Sequence, residues 1–116
     1  MELEIKKERI EKVTVLKIKG AINAHTVNEF EKTLEQCVEN REYYLLIDCK
    51  ELDYISSAGL GALMGVIEKI KSNNGDIKLC NTSNSVYRVF DILGFTELFE
   101  IFNSLEEGLK AFKKNG

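Results

Sequence analysis

Apolar positions along the chain follow two periods that alternate from one end to the other. "LEIKKE" and "KVTVLKIKG" show a period of two, with Val13, Val15, Leu16 and Ile18 as apolar members and a polar "RIEK" turn between them. That pattern predicts an antiparallel strand pair. Gly20 is expected to break the second strand. Thr26 and Glu29 then have capping-box spacing, and Val27, Phe30, Leu34 and Val38 keep helical spacing behind them, which predicts a helix ending near Asn40. "YYLLID" is a continuous apolar run of strand length, the pattern of a strand covered on both faces inside a parallel sheet.

The next segment, "SAGLGALMGVIEKIKS", returns to the helical period and is stopped by "NNG" after about Ser72. It should gather Leu60, Leu63, Met64, Ile67 and Ile70 on its core side. The opposite side would carry Ala58, Gly61, Ala62 and Gly65, a stripe almost without side chains. "DIKLC" reads as another buried strand, and "SNSVYRVFDILG" as a helix with Val86, Val89, Phe90 and Leu93 inward and Gly94 as its stop. "ELFEIF" suits a short strand or turn. Ser104 and Glu107 make a second capping box in front of a last helix with Leu105, Leu109 and Phe112 on its apolar side. An antiparallel start followed by alternating strand and helix predicts an α/β fold: a mixed sheet, largely parallel after its first strand, with about four helices packed on it.

At 116 residues, 44% of them hydrophobic, the chain is expected to form one domain over residues 1–116. A net charge of -3 without any basic run argues against nucleic acid as a partner. The apolar runs are too short to span a membrane, and "MELEIKKERI" lacks the apolar core of a signal peptide, so a cytoplasmic protein is expected. Cys37, Cys49 and Cys80 are odd in number and lack C-x-x-C spacing, which fits buried reduced thiols better than a zinc site or a disulfide framework. His25 is the only histidine and precedes a helix start, a place for an exposed or locally hydrogen-bonded side chain. No metal or other cofactor is implied.

The junction "DYISSAGLGALMG" concentrates the chemistry. In sheets with parallel strands, the loops leaving the carboxyl ends are the usual place for function, and this is such a loop. Glycine inside a helix costs about 1 kcal/mol relative to alanine, so Gly61 and Gly65 call for a close approach, either by another backbone of the same fold or by a partner protein. Ser56 and Ser57 stand at the helix start, where a serine N-cap accounts for one of them. An anion, or a phosphoryl group on Ser57, would also be favoured there by the free amides and the helix dipole. Neither a G-x-S-x-G elbow nor a G-x-x-x-x-G-K-[ST] loop is present, and Asp48, Glu51 and Asp53 are accounted for as a solvated strand end, so an enzyme is not expected.

The order of elements, together with "LLIDCKELDYISSAGLGALMG" and "DIKLCNTSNSVYRVFDILGFTELFEIF", resembles the bacterial anti-sigma factor antagonists, whose fold is the STAS domain, over essentially the whole chain. The resemblance implies a phosphorylation-gated binding module without catalytic residues. The serine two residues before the Gly-Leu pair, here Ser57, would be the target of a partner that is both kinase and anti-sigma factor, with Ser56 as a rival acceptor. A PP2C-type phosphatase would reset it. The dephosphorylated form would bind the anti-sigma factor and free its sigma factor, regulating transcription. Asn23, His25, Thr26, Ser56, Ser57, Ala58, Gly61, Ala62 and Gly65 would contribute to the partner-binding face. Ser56 and Asn23 stand where many members have aspartates, which removes negative charge from around Ser57. The alternative implied is a STAS-type sensor or scaffold that holds a nucleotide or other anionic ligand at the same helix start without phosphorylation.

Overall fold

The computed structural model describes residues 2–113. Strand β1 (Leu3–Ile10) turns through Glu11 and Lys12 into β2 (Val13–Ile22), and the two pair antiparallel from Leu3 opposite Gly20 to Ile10 opposite Val13. Helix α1 (Val27–Glu39) leads to β3 (Tyr44–Ile55), α2 (Ser57–Ser72) to β4 (Asp76–Cys80), and α3 (Asn84–Ile92) with a short 3-10 turn (Phe95–Glu97) to β5 (Ile101–Phe102). Helix α4 (Leu105–Lys113) follows. The five strands lie in sequence order, and every pair after the first is parallel. This is the mixed α/β sheet expected.

The sheet separates two apolar clusters. The larger contains Phe30, Leu34 and Cys37 of α1, Leu60, Leu63 and Ile70 of α2, and Val86 and Phe90 of α3, packed on Leu16, Ile18, Leu45 and Ile47. The smaller joins Phe112 of α4 to Val13, Val15, Leu46 and Cys80. Alternation along β2 accounts for this: Val13 and Val15 point to one face, Leu16 and Ile18 to the other.

Gly20 does not break β2. The strand continues to Ile22, and Gly20 adopts φ 110, with a Cβ built there falling 2.1 Å from the carbonyl oxygen of Glu2. Only glycine admits both that backbone and that approach. Strand β3 is also longer than its apolar run. Its register against β2 shifts between Lys17 and Lys19 and again between Gly20 and Ala21, so β3 holds two more residues than the length of β2 it pairs with. The bulges turn both Leu52 and Ile55 into the core and bring the strand end to Ser56.

Thr26 does not close a capping box. Its hydroxyl donates to the Ala21 carbonyl (2.8 Å) and accepts from the Asn23 amide (2.9 Å), with no side-chain cap bond to α1. At Ser104 the cap forms: its Oγ accepts from the Glu107 amide (3.1 Å), while the Glu107 carboxylate accepts from the amide of Asn103 (3.1 Å), one residue before the cap, and not from that of Ser104. Leu93 was expected inside, but α3 ends at Ile92 and Leu93 is 48% exposed.

Candidate functional site

The site is assembled where β2 and β3 end side by side. Ile22 is paired with Ile55, and the Ser56 amide donates to the Ile22 carbonyl at 2.9 Å. That bond holds the loop after β2 against the start of α2. In the loop, the Asn23 carboxamide oxygen accepts from the amides of His25 (2.9 Å) and Thr26 (3.2 Å), and the Asn23 carbonyl accepts from Val27 (2.8 Å). Asn23 thus organises the loop before α1, while its side chain accepts from none of the helix's own amides. His25 is exposed and enters this network through its backbone.

Ser56 occupies the N-cap position of α2 in extended conformation (φ -91, ψ 171), but its side chain makes no cap bond. Its Oγ is buried without a partner, although the backbone oxygen accepts from the amides of Gly59 (3.0 Å) and Leu60 (3.4 Å). The helix therefore begins without a side-chain acceptor for its first amides and without an acid in its first turn. Ser57, the first helical residue, is exposed at this electropositive end.

The two sides of α2 differ from the expected division. Gly59, Leu60, Ala62, Leu63, Val66 and Ile70 are buried. Ala62, expected in the exposed stripe, is only 5% exposed and belongs to the larger apolar cluster. Met64, expected in the core, is 41% exposed. The open side is formed by Ser57, Ala58, Gly61, Met64 and Gly65. A Cβ built at Gly61 or at Gly65 meets nothing within 4 Å. No other backbone of the described chain approaches these glycines. Sequence reasoning placed Met64 on the wrong side of α2 and did not single out Tyr54, which is 52% exposed at the end of β3. Position 64 lies one turn from Gly61, a signal that was available.

The cysteines are free and buried, and burial pushes the thiols of Cys37 and Cys80 up to about 11 and about 12, so thiolate chemistry is suppressed. Among the described residues no group of His, Cys, Asp and Glu is placed to hold a metal ion, and no helix is long and apolar enough to cross a membrane.

One mixed sheet with a helix start exposed beside the end of a parallel strand defines the class of fold, a small α/β domain. Residues 4–108 match the STAS domain family, and the chain belongs to that family. It is 31% identical over 96% of its length, and 96% of the relative's, to BtrV of Bordetella bronchiseptica, named as a candidate anti-sigma factor antagonist. Among solved structures, an anti-sigma factor antagonist from Mycobacterium paratuberculosis superposes with a TM-score of 0.87 at 21% identity, covering 95% of this chain and 93% of that one. The antagonist SpoIIAA, solved in its unphosphorylated form, superposes with a TM-score of 0.83 at 18% identity over 96% and 97% of the two chains. The Bacillus SpoIIAA in phosphorylated form gives 0.72 at 17% over 94% and 99%. At these identities the structural likeness establishes the fold.

Proposed function

We propose that this protein is an anti-sigma factor antagonist whose binding is gated by phosphorylation of Ser57. The observation that carries the reading is the open side of α2: Gly61 and Gly65 forfeit helix stability, and no part of the described chain packs where their side chains would be. A flat strip that a partner backbone can approach accounts for that cost. Ala58, Gly61, Met64 and Gly65 form the strip, with Ser57 at its edge and the Asn23–Thr26 loop alongside. In this reading Ala62, buried beneath the strip, supports it from below.

The partner is an anti-sigma factor with serine kinase activity, and a PP2C-type phosphatase restores the unmodified form in the cytoplasm. A phosphoryl group on Ser57 brings about -1.5 to -2 charges to the edge of the docking strip. Apposed to a partner without a matching cation, such a group costs several kcal/mol, and at about 1.4 kcal/mol per tenfold that lowers affinity by a hundredfold or more. The similarity to SpoIIAA, solved in both unphosphorylated and phosphorylated forms, and to BtrV supports this reading. The test is intact mass and site mapping after incubation with ATP and candidate anti-sigma kinases. The phosphate should be lost in Ser57→Ala, which should still bind, and Ser57→Asp should lose binding. Phosphate that persists in Ser57→Ala would move the acceptor to Ser56.

A second reading rests on the uncapped start of α2: an anionic ligand, a nucleotide included, held by the first-turn amides without phosphorylation. Thermal stabilisation by nucleotides in the absence of any kinase would favour it, and an unchanged melting temperature would remove it.

A further inference from the structure

The opposite end of the sheet carries a groove that has no part in the docking strip. It lies between α4 and the β1–β2 turn, at the start of β2, whereas Ser56 is bonded to Ile22 at that strand's end. Ten residues of strand, about 30 Å, separate the two. The groove has a volume of about 380 Å3, within the range of small-molecule sites.

Its floor is aromatic and held in place. Phe112 stacks on Tyr44 with ring centroids 5.5 Å apart and an interplanar angle of 27°. The buried ammonium of Lys78 lies 5.0 Å from the Phe112 centroid and is tied to Asp76 and Glu100. Ile10, Val13 and Leu109 wall the groove. Ile10, Tyr44 and Leu109 belong to the apolar cluster but are only half-buried, so each keeps apolar surface facing solvent.

The rim is cationic on an acidic protein. Lys12, Lys110 and Lys113 stand there against Glu11 and Glu106, three cations to two anions, while the whole chain has a net charge of -3. Lys113 pairs with Glu11 at 3.7 Å, and among the described residues neither Lys12 nor Lys110 forms an ion pair. Two uncommitted ammonium groups beside an aromatic floor select a ligand with an apolar body and one negative charge. We infer that this groove binds a small amphipathic carboxylate, a short acyl or aryl acid whose body lies against Tyr44 and Phe112 and whose headgroup is held between Lys12 and Lys110.

The test is an amide-shift titration of the whole isotope-labelled chain with decanoate, run beside decyltrimethylammonium, which has the same tail and the opposite charge. Decanoate should shift the amides of Ile10–Val13 and Leu109–Phe112 saturably, leave Ser57–Gly65 unmoved, and bind about tenfold or more tighter than the cation. Lys12→Glu combined with Lys110→Glu changes only exposed side chains, keeps the fold by circular dichroism and should abolish that preference. Absence of saturable shifts at millimolar decanoate would overturn the inference, as would equal binding by the cation or a preference unchanged in the double variant. So would shifts spread over the whole chain, which would indicate detergent-like unfolding, or shifts centred on Ser57, which would place the acid at the start of α2.

Discussion

The two sides of α2 use glycine in opposite ways. A Cβ at Gly59 would come within 2.7 Å of Ile55 Cγ1 and 2.8 Å of Ile22 Cγ2, so glycine there lets the helix start sit on the ends of two strands. At Gly61 and Gly65 the same atom would meet open space. The first glycine is explained by the fold and the other two by nothing in it, although all three read alike in the sequence. Smallness on the buried side is packing, and smallness on the open side is a surface kept bare.

The largest test of that contrast is Ala62→Arg. If α2 were turned so that Ala62 faced solvent, the substitution would be harmless to folding. Buried at 5% exposure, it places a guanidinium in the apolar cluster, and destabilisation by several kcal/mol, with loss of the cooperative urea transition, is expected. A partner-binding defect in this variant reports unfolding and says nothing of the docking face.

Next in size is Gly59→Ala, which forces Ile55 or Ile22 aside and should cost about 1–3 kcal/mol in urea unfolding. Gly61→Ala with Gly65→Ala should do the reverse, raising stability by about 1–2 kcal/mol because both sites are helical and open. The same double variant should bind the anti-sigma partner more weakly in a pull-down or calorimetric titration. A stability gain with undiminished binding would leave the bare strip without a purpose.

Much of this architecture was legible because period and caps agreed: both antiparallel strands, the limits of α1 and α2, Gly94 as the stop of α3 and the cap at Ser104 need only neighbouring residues. The failures share one cause, competition from groups outside the segment. Thr26 has the right spacing to Glu29, but its hydroxyl is taken by the Ala21 carbonyl and the Asn23 amide. In "CKELDYI" the bulges put Leu52 and Ile55 on one face three residues apart, which no period-two count can register. Hydrophobicity ranks Met64 above Ala62 for burial, whereas the fold buries Ala62 in the larger apolar cluster and leaves Met64 41% exposed. The junction itself was visible because its composition is unusual for a strand end and helix start. Which of its small residues lie bare depends on the helix's rotation in the packed fold.

The smallest expected effect supplies the control that keeps stability and binding apart. Glu42, in the turn between α1 and β3, receives Lys7 at 2.5 Å and Arg9 at 3.0 Å, joining that turn to β1. Burial alone would raise its carboxyl, but the hydrogen bonds and charges of Lys7 and Arg9 outweigh that and hold it below its ordinary value of 4.5. A carboxyl lowered on folding contributes stability that is fully present above 4.5 and is lost as the pH falls through its folded value. Glu42→Gln removes the charge and keeps the shape, and should cost about 1 kcal/mol at neutral pH. The gap to wild type should hold above 4.5 and close at lower pH in urea titrations. Affinity for the anti-sigma partner at neutral pH should be unchanged, because the ion pair shares no residue with the open side of α2. If Glu42→Gln weakened binding as much as the Gly61 and Gly65 double variant, affinity would fall alike in a less stable and a more stable protein through sites that share no residue, and the contrast between the two sides of α2 would have no bearing on recognition.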